Sequence, residues 1–119
     1  MNKISLEEKF SLFTDKWHPR IVAALNGQHV KLAKIEGEFV WHQHENEDEL
    51  FLVIKGEFEM HYRDRIELIK EGELIVVPKG VEHKPVAKNE CHILLFEPDT
   101  TVNTGNNTGT LTKEQLDWL

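Results

Sequence analysis

Seven histidines occur in this chain of 119 residues, and three of them stand where a metal ion could be gathered. His42 and His44 lie two apart in a stretch that reads as a strand, Glu49 opens the next such stretch, and His83 follows a Pro-Lys-Gly turn. Side chains alternate along a strand, so His42 and His44 face the same way, about 7 Å apart at the backbone, and two imidazoles so spaced can converge on one ion. A carboxylate from the next strand and a third imidazole from a turn complete a three-nitrogen, one-oxygen shell if a barrel brings them to one interior face. A divalent ion held by four protein ligands keeps octahedral positions open for a bidentate substrate or dioxygen, and serves there as Lewis acid or redox centre. Mixed nitrogen and oxygen ligation suits manganese, iron, nickel and zinc, and copper as well.

The elements that must position these residues are mostly strands. Ile21 to Leu25 and His29 to Ile35 flank Asn26-Gly27, a pair suited to a type I′ hairpin turn. Further strand-like runs cover 38–44, 50–54, 57–62, 66–69, 74–77, 81–87 and 92–97, punctuated by Gly37, Gly56, Asp64, Gly72 and Pro78-x-Gly80. Nine short strands at such spacing predict an all-β sandwich or barrel. Ahead of them, Ser5-Leu6-Glu7-Glu8 reads as a capping box, and Leu6, Phe10 and Phe13 predict a helix over 5–16. Behind them comes a polar stretch rich in Asn, Thr and Gly. Thr112 is then expected to cap a short C-terminal helix carrying Leu116, Trp118 and Leu119. The division expected is 1–20 as a helical segment on the barrel, 21–97 as the barrel, and 98–119 as loop and helix, one domain in all.

Other residues admit more than one reading. Glu45, Glu47 and Asp48 offer alternative carboxylates but read more simply as an exposed acidic turn. His92 shares strand parity with Leu94 and Phe96. It could therefore line the interior as a donor behind the ligands or as a general base, or be a satisfied core histidine. With Tyr62, and less so His61 and Glu38, it is a soft candidate for catalytic acid or base. Phe58, Met60 and Tyr62 alternate with polar residues and are expected to wall a cavity, partly joined by Phe39, Trp41, Phe51 and Val53. Cys91, pointing with Ile93 and Leu95, reads as a buried structural thiol.

Composition narrows the partners. With 21 acidic against 14 basic residues, the net charge of −7 repels phosphate backbones and anionic lipid, so no nucleic acid and no membrane is expected. The first twenty residues include Glu7, Glu8, Lys9, Asp15 and Lys16, and no apolar run approaches eighteen, which argues against a signal peptide or spanning helix. A single cysteine forms no internal disulfide and fits a reducing, cytoplasmic compartment.

Taken together, the stretches Gly37-EFVW-His42-Gln-His44-ENED-Glu49-LFLVIK-Gly56 and Gly72-ELIVV-Pro78-Lys79-Gly80-VE-His83 resemble the two motifs of the cupin superfamily. The chain departs from the pattern by one residue fewer between Gly37 and His42 and by Ala87 where Asn is usual. The resemblance implies an antiparallel jelly-roll barrel, usually a homodimer, with a divalent metal on the residues matching His42, His44, Glu49 and His83. More narrowly, the Trp41 to Phe51 stretch, His83-Lys84-Pro85-Val86 and Asn103-Thr104-Gly105 resemble small cupins labelled mannose-6-phosphate isomerase-like. The function expected is that of a metalloenzyme acting on a small oxygen-bearing metabolite, anionic or sugar-derived, by isomerase, lyase or dioxygenase chemistry. The alternative is a non-catalytic cupin that binds or senses a small-molecule ligand.

Overall fold

The structure, a computed structural model, describes residues 2–119. One helix, α1 (Leu6–Phe10), precedes seven strands: β1 (Arg20–Leu25), β2 (Gln28–Glu38), β3 (Glu49–Lys55), β4 (Glu57–Tyr62), β5 (Ile66–Lys70), β6 (Leu74–Val77) and β7 (His83–Pro98). Every pairing between them is antiparallel. The order β1-β2-β7-β3-β6 forms one run, and β4 and β5 branch from β7. The fold is therefore all-β, as the strand periodicity predicts, with one short helix among the described residues.

The hairpin between β1 and β2 turns at Asn26 (φ 49°) and Gly27 (φ 76°), the left-handed pair that matches the twist of the flanking strands. Ser5 caps α1 by accepting from the Glu8 N–H at 3.2 Å. The helix is shorter than the span 5–16 read from the sequence. Phe13 is drawn down beside Phe10 onto Val22 and Leu32, and the chain then turns through Trp17, whose φ is 60°. Tertiary burial of two phenylalanines outweighs the small gain of extending a marginal helix.

The nine expected strands resolve into seven for two reasons. Residues 39–48 form a loop in which only His42 makes a bridge, to His83. The runs 81–87 and 92–97 belong to one strand, β7, which continues through the exposed Lys88, Asn89 and Glu90. Register shifts on two of its three partners lie around that point, between Ile35 and Gly37 on β2 and between Val53 and Lys55 on β3.

The expected C-terminal helix is absent. Trp118 instead bridges to Ile21 in parallel, with Ile21 N–H donating to Asp117 and Leu119 N–H to Ile21, both at 2.9 Å. The free edge of β1 offers backbone partners that a helix of a few residues does not match.

Two apolar clusters result. The inner one gathers Ala33, Ile35, Phe51, Val53, Phe58 and Met60 with their neighbours inside the barrel. The outer one joins Phe10, Phe13, Val22 and Leu32, with Leu94 and Leu119 against them, on the opposite face of β1, β2 and β7.

Candidate metal centre

Inside the barrel, His42, His44, Glu49 and His83 each bring one donor atom to a common region, all within 4.8 Å of one another, and all four residues are buried. His42 and His44 come from the loop 39–48, Glu49 from the first position of β3, and His83 from the first position of β7. Reciprocal backbone bonds fasten the loop to β7: His42 N–H to His83 at 3.0 Å and His83 N–H to His42 at 2.9 Å. Gly80 N–H donates to the His44 carbonyl at 2.7 Å, and Lys79 N–H to Asp48 Oδ1 at 2.8 Å.

The rings are aimed by their own backbone. His42 Nδ1 lies 2.8 Å from the Val40 carbonyl and His83 Nδ1 2.9 Å from the Val81 carbonyl. A carbonyl accepts only from N–H, so the proton sits on Nδ1 and Nε2 is left as a lone-pair donor pointing inward. His44 Nε2 is 3.2 Å and His83 Nε2 3.5 Å from Glu49 Oε1, yet none of these three buried atoms finds an aligned hydrogen-bond partner. They converge on a point between them rather than on each other. A divalent cation is the group that satisfies several such lone pairs at once, so the residues fit a metal ion.

The electrostatics favour the ligating forms. Burial, reinforced by the charge of His83, pushes His42 down to about 4, so its imidazole is neutral near pH 7. Burial alone would raise Glu49. The polar surroundings, Glu97 first and then the neighbouring imidazoles of His44 and His83, outweigh it and hold this carboxyl well below the ordinary range.

Glu97 and Lys31 were not singled out from the sequence, and they stand directly behind the ligands. Leu50 pairs with Phe96, which sets Glu97 beside Glu49 on the inner face. Lys31 Nζ donates to Glu97 Oε1 at 2.8 Å, and both residues are 2% exposed. Burial, then the neighbouring Glu49 charge, raises Glu97 well above the ordinary carboxylate range against the pull of Lys31. Strand parity sets Lys31 with Ala33 and Ile35, and Glu97 with Ile93 and Leu95, and marks them only once the inner face is known.

The soft candidates lie elsewhere. His92 faces away from the barrel interior; it stacks on Phe10 with ring centroids 4.7 Å apart, and its Nε2 meets Glu90 at 2.7 Å. Cys91, Ile93 and Leu95 hold the inner face instead, and burial pushes the Cys91 thiol up to about 12. His61 pairs with Glu59, and Glu38 with Lys84. Tyr62 is buried in the inner cluster, with the Arg65 guanidinium 4.3 Å from its ring centroid. Trp41 packs outside under Arg63, whose guanidinium is 3.8 Å from the ring centroid. Glu45 and Asp48 are exposed, and Glu47 accepts from Thr100 at 2.9 Å.

A cavity of about 40 Å³ opens beside His42 and Glu49. Ile35, Phe39, Phe51, Ile93 and Leu95 wall it, with Trp17 stacked on Phe39 at 4.7 Å. Phe58, Met60 and Tyr62 lie outside this wall and serve as core packing.

The polar stretch after β7 straps over the histidine loop. Asn106 N–H donates to the Gln43 carbonyl at 3.1 Å, Gln43 N–H to Asn106 Oδ1 at 3.0 Å, and Asn107 Nδ2 to the Trp41 carbonyl at 2.9 Å.

Comparison with known proteins agrees with this fold. The family model described as a cupin domain matches residues 28–97. The crystal structure of a cupin-2 domain containing protein from Shewanella frigidimarina is 49% identical with a TM-score of 0.79, covering 80% of this chain and 93% of that one. Protein NMB1881 from Neisseria meningitidis is 30% identical with a TM-score of 0.76, covering 82% of this chain and all of that one. The uncharacterized protein YdbB of Bacillus subtilis is 34% identical over 64 residues, 53% of this chain, and the match spans 57% of that relative.

Proposed function

We propose that this chain, which belongs to the cupin family, holds one divalent metal ion on His42, His44, Glu49 and His83 and acts on a small oxygen-bearing metabolite, anionic or sugar-derived. One observation carries the reading: four buried donors converge within 4.8 Å, and three of their atoms have no partner among the protein's own groups. When bound, such an ion supplies Lewis-acid or redox chemistry, which covers isomerase, lyase and dioxygenase reactions alike. Manganese, iron, nickel and zinc all suit the donor set.

The chain's own residues do the rest. His42 and His83 keep their protons on Nδ1, fixed by Val40 and Val81, and so present Nε2 without rearrangement. Glu97 lies beside Glu49 on the cavity wall with its Oε2 unpartnered, where it can exchange a proton with a molecule bound beside Glu49. Lys31 anchors Glu97 from behind at 2.8 Å. Glu97 thus takes the acid–base role for which the sequence offered His92 and Tyr62.

The test is elemental analysis of protein purified without chelator or added metal, beside His42→Ala, Glu49→Ala and His83→Ala. Near-stoichiometric metal in the parent, reduced at least tenfold in each folded variant, is the expected result. Parent protein that stays empty and resists reloading would overturn the metal reading and leave a metal-independent binding barrel. Stoichiometric metal with tight ligand binding but no turnover would make the chain a binding or sensing module.

A further inference from the structure

The cavity beside the donors meets solvent in one region. Among the described residues that wall it, only Trp17, Phe39 and Asn103 are partly exposed, and the others are buried. Asn103 is pinned at both ends of its amide: Nδ2 donates to the Leu111 carbonyl at 2.9 Å, and Oδ1 accepts from Lys113 N–H at 2.8 Å. Trp17 and Phe39 stand face to face, with ring centroids 4.7 Å apart and planes 18° from parallel, and Phe39 in turn meets the His42 ring edge-on at 5.4 Å. The indole is thus the outer layer of a stack that ends on a metal donor. On the side of His44, the strap closes the approach through the paired bonds between Gln43 and Asn106.

The backbone is bent to put the indole there. At 60°, the φ of Trp17 lies in the left-handed region that bulky side chains avoid, and among the described non-glycine residues only Asn26 of the hairpin turn shares it. Such a conformation persists where the surroundings fix it. Two carbonyls of β2 do so here: Trp17 N–H donates to Lys34 and Nε1 to Glu36, both at 2.9 Å. Trp17 lies in neither helix nor strand, between α1 and β1. Lifting its indole off Phe39 therefore breaks one hydrogen bond and one stacking contact and unpairs no strand.

The space behind the stack is small. A volume of about 40 Å³ holds on the order of three waters, since each needs roughly 10–15 Å³ measured this way. Dioxygen or a triatomic anion fits it as it stands, and a larger molecule fits only once the wall has moved.

We propose that Trp17 is the specificity-determining residue at the entrance to the donors. Seated on Phe39 it admits molecules of two or three atoms, and the metabolite enters only when the indole has left the stack. The proposal rests on the metal reading above, since His42 at the inner end of the stack is one of the donors.

The experiment uses the full chain loaded with Co²⁺, whose visible absorption reports whatever binds the ion. Association is followed by stopped flow with two probes, triatomic azide and the much larger chelator benzohydroxamate. Glycine adopts the φ of Trp17 without strain, so Trp17→Gly removes the indole and leaves the backbone its path. Benzohydroxamate should associate at least tenfold faster with Trp17→Gly than with the parent, and azide within twofold of the parent rate. Trp17→Phe keeps a ring over Phe39 but loses the bond to Glu36, and should fall between; if the glycine variant does not fold, at least threefold faster benzohydroxamate with Trp17→Phe decides. Equal benzohydroxamate rates in parent and variant, no binding of benzohydroxamate to either, or no binding of azide to the parent overturns the inference and leaves the metal site standing. Azide accelerated by the same factor as benzohydroxamate overturns it too, because a loosened barrel speeds both. Failure to take up Co²⁺ is seen before any probe is added, and overturns the metal reading and this inference with it.

Discussion

At the scale of single residues, the site is built from groups whose surroundings fix their proton states. Burial and the charge of His83 bring His42 from 6.5 to about 4. Between those two values the unfolded chain binds a proton that the native metal-free protein does not. Unfolding is therefore progressively favoured as pH falls through that window, and stability at neutral pH is unaffected. The full loss on this account is about 3 kcal/mol, reached near pH 4. Urea melts of chelator-treated protein between pH 7 and 4 should show this slope, and His42→Asn should flatten it; parallel slopes in the two proteins would remove His42 as its source. Lys31 and Glu97 show where the sequence ran out at this scale. Both faces of β7 carry apolar residues, because Phe10 of α1 and Phe13 just beyond it cover the outer one. Alternation alone then cannot say which face is inside, so His92 stayed open between an interior place and core packing, and Glu97 passed unmarked. The four candidate donors escaped this ambiguity because they come from a loop and from two strand starts, where residue type and spacing mark them.

Among the elements, loop 39–48 and the strap after β7 set the geometry of the donors together. Gly105 is the point of closest approach: its φ is +54°, and a Cβ there would collide with the Gln43 carbonyl and press on the His42 ring. Gly105→Ala should therefore detach the strap, since the clash is with backbone that cannot yield. Limited proteolysis should cut the variant within 99–110 at least tenfold faster than the parent, with a fall of only a few degrees in the barrel's melting temperature. Unchanged proteolysis would mean that the strap's bonds to Trp41 and Gln43 do not hold it down. The strap's place over the histidines was not legible, because Asn, Thr and Gly in a row announce irregular backbone without saying what it packs against. The hairpin at Asn26-Gly27 was legible to the residue, because its turn chemistry is local.

For the whole molecule, the open edges matter. The edge of β1 is covered by the chain's own Trp118. β5 pairs only with β4 and β6 only with β3, and they expose Ile66, Leu68, Leu74 and Val76, each between 45% and 57%. Edge strands with apolar side chains invite a second copy. We propose that two copies of the chain meet through these strands. Sedimentation should give twice 13.9 kDa for the parent, and Leu74→Lys with Val76→Lys should give the monomer at unchanged metal content. A monomeric parent at tens of micromolar would exclude this homodimer.

β7 binds the scales together. Its sixteen residues would extend about 50 Å if straight, more than the molecule's longest dimension of 42 Å. Yet His83 at its start and Glu97 near its end both touch Glu49. The strand works as a spring clip closed on one carboxylate. Straightening it at Lys88–Glu90 would draw a histidine and a glutamic acid away from Glu49 in the same movement, so the curvature of one strand and the hold on whatever sits at Glu49 become a single mechanical coordinate.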